Sequence, residues 1–350
     1  MPLLLTTEET KQLVTMREAI DLLEEGYKSL ARHEATHRPR TDMQVPLRPG
    51  EDYWLATMEG ASRQHGLAAV RLRSDRFSTR SKKWAGRPGM FCGLVLLYDL
   101  ESGELAAIIN DGYLQLMRVS ATSALAGRYL ARPESRVLGI IGSGWQARDH
   151  ARAFSASFPL EHIRVFSPNE ARRDAFALEM SAELGLRVTA ESSAREAVEG
   201  CDIVATCTDS STPVMETRWL APGTYVSSLR YYKEMAEPRD AAFDVHVIHY
   251  LPGYVQPAYR AGTQDQWDQG ADIYTTYDRA EPPAGSVQLQ DVVGGRCPGR
   301  TSAGQRTVFI NHGGMGIQFV ALGRVVLDRA RERSLGRELP AEWFLQDVTT

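Results

Sequence analysis

The chain has 350 residues, 43% of them hydrophobic, and a formal net charge of -4, which is enough for two domains with cores of their own. A mildly acidic balance without a long Lys/Arg run leaves no electrostatic footprint for nucleic acid, and no stretch approaches the roughly 20 apolar residues that cross a bilayer. The start, MPLLLTTEETKQLV, lacks the basic flank and long apolar core of an export signal, so a cytoplasmic protein is expected.

Thr15-x-x-Glu18 has the form of a capping box, and Ala19, Ile20, Leu22, Leu23, Tyr27 and Leu30 follow at helical spacing to about Arg32. An extended region opens at His37-Arg38-Pro39-Arg40, with strands predicted at Tyr53 to Thr57, Leu67 to Leu72 and Phe91 to Tyr98. Gly103 turns the chain and Leu105 to Asn110 returns as a hairpin partner. Leu114 to Ala131 reads as a helix with a face of small residues. Beyond it, strands at Val137 to Ile141, Ile163 to Phe166, Ile203 to Thr206, Tyr225 to Leu229, Val245 to Ile248 and Thr307 to Ile310 alternate with helical stretches. That alternation predicts an α/β fold with a doubly wound parallel sheet of Rossmann type, next to a smaller α+β N-terminal domain. We divide the chain into residues 1–115, with 325–350 packing back on them, as the substrate and dimerisation domain, and residues 116–324 as the nucleotide-binding domain. Tyr250 to Gly285, rich in Gly, Pro, Tyr and Gln, is either a lid or a long surface excursion. The four cysteines, Cys92, Cys201, Cys207 and Cys297, are far apart with no CxxC; they are expected as small core hydrophobes, with no metal site.

The chain is organised around VLGIIGSGWQARDH, residues 137–150. Four apolar residues make a buried strand, Gly142-Ser143-Gly144 breaks it, and Trp145 onward continues as a helix. Gly142 supplies a left-handed turn that is cheap only without a Cβ, Gly144 permits close approach of a diphosphate, and Ala147 lets helix lie on strand. The free N–H groups of the helix start, at Trp145 and Gln146, then face an anion.

Several stretches together resemble the ornithine cyclodeaminase/μ-crystallin family of NAD(P)-dependent enzymes: GLVLLYDLESGELAAIIND, QLMRVSATSALAGRYLARPESRVLGIIGSGWQA, GCDIVATCTDSSTPV, WLAPGTYVSSL and TVFINHGGMGIQ. The resemblance implies a homodimer built through the N-terminal domain and a substrate site in the cleft between domains. It also implies chemistry at the Cα–N bond of a small amino or imino acid: dehydrogenation, imine or ketimine reduction, or cyclodeamination with internally recycled NAD. The crystallin members suggest a further reading, a non-catalytic NADPH-binding protein. By motif position the substrate carboxylate falls to Arg40, Arg71 and Arg118, whose planar forks suit it.

Three positions depart from the family pattern. Arg71 stands where most relatives carry lysine and cannot shuttle a proton. Tyr231, with Tyr232, Lys233 or Glu234 as alternatives if the loop is shifted, falls where cyclodeaminases place an acid; it is the candidate catalytic proton donor beside Arg71 and Arg118, as is a tyrosine of the 250–285 segment. The family's Gln-Asp in the closing helix is Gln318-Phe319 here. These losses count against cyclodeamination, which needs a carboxylate at the amine, and favour simple hydride transfer.

For the coenzyme, the second strand ends Val165-Phe166-Ser167-Pro168-Asn169 with no acid for a ribose 2′-OH, and Arg172 and Arg173 follow. NADP is therefore expected over NAD, with Ser167, Asn169 and Arg172 at the 2′-phosphate, unless both arginines lie on the solvent face of the next helix. Gly142, Ser143, Gly144, Trp145, Gln146 and Ala147 would hold the diphosphate, and Thr206, Thr208 and Ser228 would line the nicotinamide side. The side-chain pocket falls to Arg76 to Met90 and Tyr250 to Tyr277.

Overall fold

The computed structural model describes residues 1–38, 40–78, 83–84, 92–210, 212–236, 240–249, 258–260 and 282–346. Most of the Tyr250 to Gly285 segment and of Arg76 to Met90 lies outside them.

Two sheets carry the chain. The second has eight strands in the order Arg187–Ala190, His162–Phe166, Val137–Ile141, Ile203–Thr206, Tyr225–Ser228, Thr307–Ile310, Val245–Ile248 and Val287–Gln288, and every neighbouring pair is parallel. Its central strands, Ile203–Thr206, Tyr225–Ser228 and Thr307–Ile310, are buried at every position, as expected where helices cover both faces. This is the doubly wound α/β sheet predicted. Its strand order reverses between Val137–Ile141 and Ile203–Thr206, and ligands bind at such a switch point beyond the carboxyl ends of the strands.

The first sheet is mixed. Thr41–Arg48, Glu51–Ser62, Leu67–Ser78, Cys92–Asp99 and Leu105–Asn110 run antiparallel in sequence order. Leu3–Leu5 then adds in parallel, and Arg337–Glu338 pairs with it from the far end of the chain. The strands at 51–62 and 67–78 are longer than the hydrophobic pattern indicated, and Thr41–Arg48 was not anticipated.

Two helices join the sheets. Gly112–Leu130 is buried on nearly all sides, and its Ser123 is a hub: Ser227 Oγ lies 2.8 Å away, Asn311 Nδ2 2.7 Å and His150 Nε2 2.9 Å. Because His150 Nδ1 lies 2.7 Å from the Gln146 carbonyl, that nitrogen is the donor and Nε2 accepts from Ser123. Gly316–Glu332 leaves the second sheet after Thr307–Ile310 and packs against Glu51–Ser62 and Leu67–Ser78. Its start touches the strand backbone directly: a Cβ on Gly60 would come 2.6 Å from Gly316 C, so side chains are excluded there.

The amphipathic helix Met16–Ala31 begins at the Thr15/Glu18 capping box and buries Ala19, Ile20, Leu23, Tyr27 and Leu30, each large aliphatic contributing about 1.5–3 kcal/mol. Arg329 of the closing helix reaches Glu18 at 2.6 Å; this bond and the cap hold the Glu18 carboxyl down at about 2. The cysteine expectation is corrected in part: Cys201 and Cys207 are buried, but Cys92 is exposed and Cys297 half-buried, because each of the latter sits near an element end.

Candidate active site

The turn after Val137–Ile141 has the geometry its sequence dictates. Gly142 has φ +113°, and a Cβ there would strike the Cys207 carbonyl of the neighbouring strand end. At Gly144, the N-cap of helix Trp145–Ser157, a Cβ would meet nothing within 4 Å. The first N–H groups of that helix therefore open onto free space, the shape a diphosphate requires. Ala147 is fully buried and Trp145 is 75% exposed. Ser143 Oγ lies 2.8 Å from Ser167 Oγ, tying the turn to the end of the second strand, and the Gln146 carbonyl anchors His150.

At that second strand end, Asn169 caps helix Glu170–Leu184 by accepting from Arg172 N at 3.0 Å. The Arg173 guanidinium lies 5.9 Å over Phe166 and donates to the Ser167 carbonyl at 3.2 Å. Arg172 is exposed, with no side-chain partner among the described residues.

Across the cleft edge, the first sheet presents a buried cluster of arginines. Arg40 donates from Nε and Nη2 to one Asp42 oxygen at 3.0 and 2.7 Å. Arg71, 2% exposed, pairs with the equally buried Asp111 at 2.6 Å. Arg118, on helix Gly112–Leu130, is 2% exposed and donates only to neutral acceptors: Gln115 Oε1 at 3.0 and 3.3 Å, the Gly313 carbonyl at 3.1 Å and Gln318 Oε1 at 3.2 Å. Burial, then the charge of Arg71 and further off Arg40, pulls its guanidinium down to about 9. Among the described residues Arg118 has no carboxylate partner, so three cations face two anions. A buried uncompensated cation is costly, and an anion bound beside Arg118 would offset that cost.

Gln318 holds this arrangement, since its Nε2 donates to Thr122 Oγ1 at 2.8 Å and to Tyr27 OH at 3.2 Å. Phe319 lies with its ring 5.8 Å from the Arg118 guanidinium. The chain's sequence matches the model of the ornithine cyclodeaminase/mu-crystallin family over residues 1–334. It belongs to that family.

Relatives match from two thirds of its length to nearly all of it. The delta(1)-pyrroline-2-carboxylate reductase of Bacillus cereus is 26% identical, over 96% of this chain and 99% of that protein. The ketimine reductase mu-crystallin of Rattus norvegicus is 27% identical over 67% of this chain and 68% of its own. The fold matches that of the Thermococcus litoralis delta(1)-pyrroline-2-carboxylate reductase, solved with NADH and L-proline, with a TM-score of 0.79 at 24% identity, covering 96% of this chain and all (100%) of that one.

At the carboxyl edge, sequence reasoning named Glu234 only as an alternative to Tyr231 and missed the partners it gathers. Glu234, fully buried, gathers Thr206, Thr208 and Ser228: it accepts from Thr206 Oγ1 at 2.6 Å, Thr208 Oγ1 at 2.5 Å, Thr208 N at 3.0 Å and Ser228 Oγ at 3.0 Å. These hydroxyls are thus committed inside the protein, and what Thr206 and Ser228 offer a ligand is backbone position. Tyr231 opens the 3-10 segment Tyr231–Glu234 that follows the strand; its side chain lies outside the described residues. Two histidines also converge here. His249 Nδ1 meets the His312 carbonyl at 3.1 Å, and the His249 ring stacks on Tyr27 with centroids 6.4 Å apart. Burial holds both imidazoles low, His312 at about 4 and His249 at about 3, so both are neutral near pH 7. Only NHGG in the sequence marked His312.

Proposed function

We propose that the protein is a nicotinamide-dependent oxidoreductase that reduces a small imino acid, or in reverse dehydrogenates the amino acid, with NADP(H) preferred. The observation that carries this reading is Arg118, buried and bonded only to neutral acceptors beside two arginines that are each paired. A substrate carboxylate completes the charge balance, and a guanidinium fork grips it in two bonds. The opening at Gly144 and the Gly142 turn fit a dinucleotide diphosphate.

When bound, the coenzyme supplies the hydride for the imine carbon or takes it back from the amine. The chain's own residues do the rest. Arg118, with Arg71 and Arg40, fixes the carboxylate so that the adjacent C=N carbon has one orientation, and burial of the cluster keeps water out. The nitrogen takes up one proton as the carbon takes up hydride; we assign the proton to Tyr231. Cyclodeamination is disfavoured because Asp42 and Asp111, the carboxylates of the cluster, are both held by guanidinium groups, and neither is available to the substrate amine.

Preference for NADP(H) is supported by the absence of an acid through Ser167-Pro168-Asn169 and by the side chain of Arg172, which has no partner among the described residues. A homodimer is supported by Met43 and Leu47, 41% and 51% exposed, on one face of the Thr41–Arg48 strand. The same reading retains the division at 115/116 and 324/325 and a cytoplasmic setting, in keeping with four free thiols.

The test is turnover of delta(1)-pyrroline-2-carboxylate and an aliphatic imino acid panel with NADPH and NADH, followed by the near-ultraviolet absorbance of the reduced coenzyme. Net oxidation of coenzyme with formation of the amino acid is expected. Product without net coenzyme change identifies the lyase, and tight coenzyme binding without oxidation identifies a binding protein.

A further inference from the structure

Glu234 is a buried carboxylate that the chemistry above does not use. It receives the bonds from Thr206, Thr208 and Ser228 already described and a fifth from Arg230 N at 3.2 Å. All five groups are neutral donors, and no Lys, Arg or His side chain pairs with Glu234 among the described residues. Two adjacent parallel strands end at this carboxylate, in register Thr206 with Ser228. The first of them borders Val137–Ile141, so with a diphosphate on the Gly142 turn the nicotinamide end of a dinucleotide extends along this edge.

From that placement we infer that Glu234 is a positioning residue with an electrostatic consequence: its fixed negative charge favours the cationic, oxidised nicotinamide ring over the neutral, reduced one. The inference rests on the coenzyme reading above. Hydride transfer to an imine leaves the ring with a positive charge that it did not have before, so a buried anion along this sheet edge draws the reaction toward the amine. Hydrogen bonds from neutral donors hold the carboxylate without cancelling its charge. In the arginine cluster, Arg40, Arg71 and Arg118 outnumber by one the carboxylates that pair with them among the described residues, Asp42 and Asp111, until a substrate carboxylate docks. The field of Glu234 is therefore felt most fully in the loaded site.

Wild-type protein and Glu234→Gln are titrated with NADPH and with NADP+, following protein fluorescence. The amide keeps the shape and removes the charge. The Kd for NADP+ is expected to rise about tenfold more than that for NADPH, the order for a unit charge roughly 10 Å from the ring at an effective dielectric constant of about 20. Equal rises, or none, overturn the inference. Should Glu234→Gln not fold, Glu234→Asp is titrated instead: it keeps the charge, so the ratio of the two Kd values is expected within about threefold of wild type, and a change of about tenfold overturns the inference. If the wild type binds neither coenzyme, the coenzyme reading falls and this inference with it; equal losses in the variant remove the inference alone.

Discussion

Replacing Arg118 by methionine separates a ligand-holding cation from a structural one. The guanidinium is buried, has no carboxylate partner among the described residues, and is already pulled down to about 9 by burial and by Arg71. Removing an uncompensated buried cation in favour of an apolar chain of similar length is neutral to stabilising by about 1–4 kcal/mol. Against this, the Gly313 carbonyl, Gln115 Oε1 and Gln318 Oε1 lose a donor, at about 1 kcal/mol or more each. The free variant is therefore expected within about 2 kcal/mol of wild type in urea unfolding. Catalysis is expected to respond quite differently. A desolvated charged pair with the substrate carboxylate contributes about 2–5 kcal/mol, so kcat/KM should fall by a factor on the order of 30 to several thousand. Coenzyme Kd should stay within about twofold, because none of the atoms Arg118 touches belongs to the Gly142 turn. Arg118→Lys, which keeps the charge but not the fork, should recover part of the loss. Unchanged kcat/KM, or a large loss of stability with normal substrate KM, would refute the argument that this cation awaits an anion.

Gly142→Ala places a Cβ at φ +113° against the Cys207 carbonyl; a cost of about 1–3 kcal/mol in stability and a large rise in NADPH Kd are expected by calorimetry, and normal coenzyme binding would show that the turn is not the diphosphate site. Arg172→Ala should weaken NADPH about tenfold or more and NADH hardly at all, read as the ratio of the two Kd values; equal effects would remove the 2′-phosphate assignment. Acid should destabilise the fold through His150, His249 and His312, which burial holds neutral at about 4, 3 and 4. Their folded values lie below the unfolded one near 6.5, so the unfolded chain binds more protons below that pH. The stability is complete above about pH 6.5 and declines as pH falls toward 4, by about 2 kcal/mol for each histidine at pH 5. Urea midpoints that do not move between pH 7 and pH 5 would contradict the burial of these rings.

The second sheet was legible because its strands are continuous apolar runs separated by Gly-marked turns: VLGII and IVAT cannot be satisfied except between covering helices. Thr41–Arg48 was not, for a physical reason. Its sequence, TDMQVPLR, buries Asp42 and Gln44 and exposes Met43 and Leu47, which inverts the alternation that marks a half-buried strand, and Pro46 sits inside it. The polar residues are inside because the arginine cluster is there. Glu51–Ser62 was read short since its buried end runs Met58, Gly60 and Ser62, where Gly60 serves close contact with a helix start instead of strand propensity. The three arginines could be placed by motif, but not their partners: Asp111 is the last residue of a hairpin stretch and Asp42 one acid among 44 acidic residues, and neither spacing nor composition distinguishes a carboxylate that neutralises a clamp from one on the surface. Glu234 was named only as an alternative to Tyr231, and its setting is hidden for the same reason, its three hydroxyl partners being up to 28 residues away.

The two helices that run between the sheets are joined by Gln318 of Gly316–Glu332, which accepts from Arg118 and donates to Thr122 of Gly112–Leu130. Gln318 therefore couples the carboxylate grip proposed for Arg118 to both helices, so a shift of either one is felt at that guanidinium.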